Sequence, residues 1–455
     1  MARHEPNQRL AALLAEARWS GAELARAVNT LGAAQGLKLR YDRTSVAHWL
    51  TGSRPRQPVA DLAAAALSRR CNRLISAEET GLLQAPQTLA PLSHHSHEKG
   101  DAVHRLASLC RAEADPVRRA VLSASVYNLA TATSVLEWKT KPMPPPRLRG
   151  TGFQPTPLDV ERLQDMVRLF AELTEQYGGA HARSSLAAYL ADDVSSVLSA
   201  PAAQDVRREL FVSAAQLTHI LARMTNDAGQ AGLAQQYYTV ALSVAQEAGA
   251  PSLYAVTLRA MSLQAVCLGY PQQAWELADA AVDIAGPHAQ PATRSFLLSQ
   301  RAFAQACHQH HRRAALADLM AAEKAHEHAS SPAGPFTAYP RAGLDYQRAQ
   351  TFLVLGEARQ ATQALVSAVN TRPENQHRTS AITHARLAET LLHAGHLENA
   401  CQHWHTFLDH YARLRSEHAT QAFHQLRRTL RPYQHERHAT AVLRRAQALQ
   451  HASLL

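Results

Sequence analysis

Lysine is nearly absent. Of 47 basic residues in the 455-residue chain only Lys38, Lys99, Lys139, Lys141 and Lys324 are lysines. Such an arginine excess is the ordinary mark of a GC-rich genome, so alone it does not argue for phosphate recognition. Cysteine is sparse too: Cys71, Cys110, Cys267, Cys307 and Cys401 are odd in number, lie far apart and form no C-x-x-C pair. That excludes a zinc ribbon or a secreted disulfide framework and fits reduced thiols of a cytoplasmic protein. No apolar run approaches the roughly 18 residues that a membrane span needs. "SRRCNRLIS" at 68–76 has a twin-arginine look, but no apolar stretch follows, so it reads as a basic helix end. G-x-x-x-x-G-K-[ST], G-x-G-x-x-G after a strand, H-E-x-x-H and G-x-S-x-G are all missing. The expectation is a non-enzyme with no catalytic residues and no cofactor.

What is present is positive charge and apolar periodicity. The formal charge is +10 with a pI near 9.6, which favours an acidic partner, nucleic acid or anionic membrane. Residues 1–80 hold twelve Arg/Lys against seven Asp/Glu, a balance of +5. Half of the net positive charge therefore sits in under a fifth of the length. Hydrophobic residues make up 46%, enough for a folded chain. At this length the core must be split among two or three domains or spread along a repeat array.

The periodicity is helical throughout, so the expected class is all-α. In residues 1–83, "NQRLAALLAEARWS" places Leu10, Leu13, Leu14 and Ala17 on one face, and Ser20 with Glu23 forms a capping box for the next helix. "YDRTSVAHWLTGSRP" (41–55) sets Val46, Trp49 and Leu50 against an opposite face of Arg43, Thr44, Ser45, Ala47 and His48, and "VADLAAAALSRRC" supplies another helix. Residues 84–101 lose periodicity and read as a linker. A helical connecting region follows at 102–204, with one helical segment at about 115–138 and a Pro/Gly-rich loop at 139–157.

From 205 to 410 the chain repeats. Ala234, Ala274 and Ala314 stand forty apart and are followed by Ala361 and Ala400. Gly229, Gly269, Gly356 and Gly395 each precede their alanine by five, Gln309 taking that place in the third unit. Ala222, Ser262, Ala302, Ala349 and Ala388 recur twelve before it. Small residues allow close helix approach, glycine turns the chain, and Tyr238, Leu365 and Trp404 fill the next interface. The pattern resembles tetratricopeptide (TPR) repeats, about five helical hairpins stacked as an α-solenoid, with residues 411–455 as a helical cap.

"ELARAV" (23–28) together with "SVAHWLTGSRP" (45–55) resembles the phage-repressor helix-turn-helix. The resemblance implies that Leu24 and Ala25 are core and that Val46 and Trp49 seat a reading helix in the major groove of double-stranded DNA. Arg43, Thr44, Ser45 and His48 would then meet base edges or phosphates, with Arg54 and Arg56 clamping the backbone. Two features depart from the pattern. About fifteen residues separate the two helices where the family has a short turn, and Leu50 stands where many relatives carry a charge.

With "RRC…ISAEETGL" (69–82), "LTEQYGGAHARSSLAAYL" (173–190) and "NDAGQAGLAQQYYTVAL" (226–242), most of the chain resembles actinobacterial transcriptional regulators that join such a domain to TPR-like repeats. That implies control of development or secondary metabolism through a promoter operator, by a homodimer. Gram-positive quorum-sensing regulators of the same architecture bind peptides in the TPR concavity. By repeat position the concave set here is Gln216, His219, Arg223, Asn226, Arg259, Phe296, Phe303, Tyr346 and Gln350, suited to a small molecule or a peptide with an acidic terminus. The alternative is a TPR adaptor whose N-terminal domain docks a protein and does not read DNA. Histidine clusters at 94–97, at 308–311, and at His393, His396, Cys401, His403 and His405 lack a completing carboxylate pair, so no metal is expected.

Overall fold

Asn7 starts the first helix by accepting a hydrogen bond from Leu10 N at 3.1 Å, and Leu10, Leu13, Leu14 and Ala17 are buried on one side of it. This helix, α1 (Gln8–Ala17), is followed by α2 (Gly21–Ala34), α3 (Arg43–Leu50) and α4 (Gln57–Cys71). The computed structural model describes residues 6–34, 37–55, 57–71, 75, 77, 79–82, 102–138, 153–309, 311–330, 336 and 338–452. Among these every regular element is a helix, as the periodicity required. The reading of 84–101 as a linker, Arg56, and most of the 139–157 loop lie outside the described residues.

Residues 115–138 hold two short helices where one segment was expected, because Asn128 breaks the run and caps the second. The connecting region comprises α5 (Ala102–Ala114), α6 (Pro116–Ser123), α7 (Leu129–Ser134), α8 (Pro157–Tyr177), α9 (Arg183–Tyr189), a π turn at Leu190–Val194, and α10 (Ser195–Ser199). Glu113, buried in α5, accepts from Arg183 and from the Tyr237 hydroxyl, so one carboxylate ties this region to the array.

Five hairpins follow: α11 (Gln204–Asp227) with α12 (Ala231–Glu247), α13 (Pro251–Cys267) with α14 (Pro271–Ala285), α15 (Pro291–Gln309) with α16 (Arg312–Glu327), α17 (Arg341–Val354) with α18 (Ala358–Asn370), and α19 (His377–His393) with α20 (Leu397–Tyr411). α21 (Glu417–Leu430) and α22 (Arg437–Ala452) close the chain. Partners pack as adjacent antiparallel pairs, a solenoid-like array. The small residues explain the close approach: Ala222, Ser262, Ala302, Ala349 and Ala388 are all fully buried, and Ser262 Oγ donates across the hairpin to Ala274 O at 2.7 Å. Gly229, Gly269, Gly356 and Gly395 turn the chain with φ of 77° to 85°. Tyr238, Leu365 and Trp404 are buried between hairpins, each contributing about 1.5–3 kcal/mol of apolar transfer.

The third hairpin corrects the repeat register. Ala314 is exposed and Ala315 is the buried alanine, because α15 runs seven residues past Ala302 where the other first helices run five past their small residue, while the turn is one residue shorter.

The array also bends back on itself. α8 lies along α11 and reaches α19, so the first and fifth hairpins meet. Asp227, at the end of α11, accepts from Arg378 Nη2 (2.8 Å), Ser416 Oγ (2.9 Å), His418 Nδ1 (3.1 Å) and Gly179 N (2.7 Å).

Candidate nucleic-acid interface and array interior

α3 exists because Asp42 caps it. Asp42 Oδ1 accepts from Ser45 N and Ser45 Oγ, both at 2.8 Å, and Asp42 N donates to Ser45 Oγ at 3.4 Å. These bonds hold the exposed Asp42 carboxyl below the usual carboxylate range. Val46 and Trp49 are buried, Trp49 edge-on to Tyr41 at 5.2 Å, and Gly21 on α2 leaves room for the Val46 side chain. Leu50 is half-buried, and its carbonyl accepts from Asn7 N at 2.9 Å.

The gap before α3 is shorter than the sequence suggested. α2 continues to Ala34, which leaves residues 35–42 as the connection. Asn29 then clamps its far end, donating to Tyr41 O at 2.8 Å and accepting from Tyr41 N at 2.9 Å. In the sequence a lone amide on a helix, such as Asn29, carries no signal of what loop it will meet.

With that seating, Arg43, Thr44 and His48 are exposed on the outer face of α3, and Arg54 is exposed just beyond it. Lys38 and Arg40 are exposed on the approach. The Ser45 hydroxyl is engaged in the cap with Asp42. α4 turns its own basic end toward the array. The Arg69 guanidinium donates to Leu268 O and lies 4.2 Å over the Tyr270 ring, while Arg70 Nε donates to Ala17 O at 3.0 Å.

A family model described as the SP15 N-terminal domain matches residues 10–83, the span that holds α1 to α4. No curated protein matches the chain.

The residues read as concave lie on the first helices of their hairpins, α11, α13, α15 and α17. His219 is 3% exposed, bonded to Thr257 Oγ1 (3.1 Å) and covered by Phe336 with ring centroids 5.2 Å apart. Burial, then nearby Arg223 and Arg259, pushes its pKa down to about 3. Arg259 lies 3.6 Å over the Phe296 ring and donates to Phe296 O, and Tyr339 packs edge-on against Phe296 at 4.8 Å. Phe303 is buried, Gln350 donates to the Tyr346 hydroxyl, and Asn226 accepts from Gln264 at 2.8 Å. Gln216 is half-buried; Arg223 is exposed and pairs with Glu175 at 3.5 Å. The segment after α16 thus brings Phe336 and Tyr339 onto the inner face, which repeat position alone does not foretell.

Histidines cluster where the sequence did not suggest. His377 and His410 approach Nδ1 to Nδ1 at 2.9 Å, and His384 and His403 at 3.1 Å. Only His403 belongs to a sequence cluster. His377 and His384 on α19, and His403 and His410 on α20, stand seven apart, a spacing that stacks residues along one helix face. Among the described residues, no three histidine, cysteine or acidic side chains are grouped to hold a metal ion. No helix among them is long and apolar enough to cross a membrane.

Proposed function

We propose that this chain is a DNA-binding transcriptional regulator of the kind its sequence resembles, with α3 as reading helix and the TPR-like array as sensor and dimerisation unit. The observation that carries the reading is the division of α3 into two faces. Val46 and Trp49 are spent on seating it, and Arg43, Thr44 and His48 are left exposed on a capped helix. Such a face can enter the major groove, with Arg43 or His48 at guanine acceptors and Arg54 on phosphate. The helix N-terminus adds favourable potential for phosphate, offset in part by Asp42. In a homodimer the two copies of α3 would read two half-sites.

The test is fluorescence anisotropy with duplex from the chain's own promoter and a scrambled duplex, across a salt series. Selective binding whose affinity falls steeply with salt supports the reading. No preference at physiological salt sinks it and favours the adaptor, in which the same domain docks a protein.

A further inference from the structure

The fifth hairpin holds two pairs of imidazoles that hairpin packing does not require. His384 stands four residues before the small Ala388 of α19, and His403 three after Ala400 of α20. In the second hairpin the same two places hold Leu258 and Leu277, both buried, so apolar side chains suffice to close such a unit. His377 and His410 lie seven residues further on, toward the end of the hairpin away from the Gly395 turn.

The pairs face each other across the hairpin. His377 Nδ1 meets His410 Nδ1 at 2.9 Å, and His384 Nδ1 meets His403 Nδ1 at 3.1 Å. The His384 and His410 rings, with centroids 6.1 Å apart, join the two pairs into one row. At these separations only one of the two facing nitrogens can carry a proton, so the other presents a lone pair. If the protonated ring shifts its proton to Nε2, both Nδ1 lone pairs become free for one ion, with no net release of a proton. Two nitrogens bound to one ion at about 2.0–2.1 Å stand about 2.8–3.4 Å apart, for angles at the metal between about 90° and 109°. Each pair already has that bite, and a tilt of the rings brings the lone pairs onto a common point. All four rings are half-buried, so an ion reaches them from solvent.

We propose that this row binds divalent transition-metal ions of the zinc class, one at each histidine pair, with water completing the coordination. Imidazole nitrogen favours such ions over magnesium or calcium, which take oxygen. Two protein ligands per ion need no third side chain, and none is grouped with them among the described residues. The ligands are neutral, and Arg372 and Arg413 bear on these rings, so the sites suit reversible binding and not a permanent structural metal. The inference is independent of DNA binding and of the reading of α3.

The experiment is equilibrium dialysis of the full chain, stripped with EDTA, against zinc chloride up to saturation. Other histidines and thiols add to the total, so the readout is the difference between proteins. His384→Gln/His403→Gln and His377→Gln/His410→Gln should each bind about one zinc fewer than wild type, with helicity by circular dichroism unchanged. His393→Gln/His396→Gln, at exposed positions beside the turn of the same hairpin, should match wild type. Zinc should also raise the wild-type thermal midpoint, and magnesium at equal concentration should not. If one double variant does not fold, the other, at the opposite end of the row, is read alone. Equal zinc in wild type and the folded pair variants, or an equal loss in His393→Gln/His396→Gln, overturns the proposal.

Discussion

Asp227 on α11 and Arg378 on α19 meet at 2.8 Å although 151 residues separate them. A solenoid whose hairpins touch only their neighbours has no such contact. Here the array closes, and the bond lies at the seam, buried with Ser416 and His418 on the same carboxylate. Stability is then no longer a sum of neighbouring terms, because opening any hairpin also strains the seam.

Asp227→Ala should therefore cost about 3–5 kcal/mol in urea unfolding, since it leaves Arg378 buried without its main partner. Burial would raise the Asp227 carboxyl, but Arg378 and His418 outweigh it and hold it far below the usual range. A depressed carboxylate stabilises the fold above its unfolded pKa of about 4 and loses that contribution as pH falls further. The stability gap between wild type and Asp227→Ala should accordingly narrow below about pH 4. A constant gap, or a cost under about 1 kcal/mol, contradicts the seam.

Arg43→Ala and His48→Ala should each weaken promoter binding by about 1–3 kcal/mol with helicity unchanged. Ser45→Ala should act differently, by loosening the Asp42 cap, and Asp42→Ala should lower the thermal midpoint of the N-terminal unit. Anisotropy titrations beside thermal melts separate the two classes. Equal affinity for wild type and Arg43→Ala would remove α3 from the interface.

Much of this was legible in the sequence because short-range rules govern it. The Ser20–Glu23 capping box, the Val46 and Trp49 face and the glycine turns depend on residues within one or two turns of each other. Ala314 stands one place off the buried alanine because an even forty-residue spacing hid the longer α15. The Asp227–Arg378 seam, the Phe336 cover on His219 and the paired histidines were not legible, since each joins segments whose separation along the chain carries no periodic mark.

The paired histidines predict an acid sensitivity. Burial first, then repulsion from His403, His410 and Arg372, lowers His384 to about 4; burial lowers His377, His403 and His410 as well. Arg413 bears on His377 and His410, and Asp409 opposes the shift at His410 alone. A histidine depressed in the fold contributes fully above its unfolded pKa, about 6.5, and that contribution shrinks as pH falls toward 4. The thermal midpoint should drop between pH 7 and 5, and less in the double variant His384→Gln/His403→Gln. Parallel curves for the two proteins would exclude these pairs as the cause.

The last prediction concerns how the N-terminal unit is held. Arg69 joins α4 to the turn of the second hairpin through Leu268 O and the Tyr270 ring, and Tyr270 in turn stacks on Tyr127 at 5.5 Å. Arg69→Ala removes a cation–π contact worth about 0.5–1 kcal/mol together with a charge-assisted hydrogen bond. Arg69 is exposed, so its loss leaves no buried cavity, and the helices themselves should persist. What should change is local opening: amide exchange should quicken at the C-terminal end of α4 and in the turn 268–270, with α19 and α20 unaffected. Arg69→Lys keeps the charge but loses the planar fork and should fall between. If exchange is unaltered at both α4 and that turn, Arg69 does not hold the unit to the array.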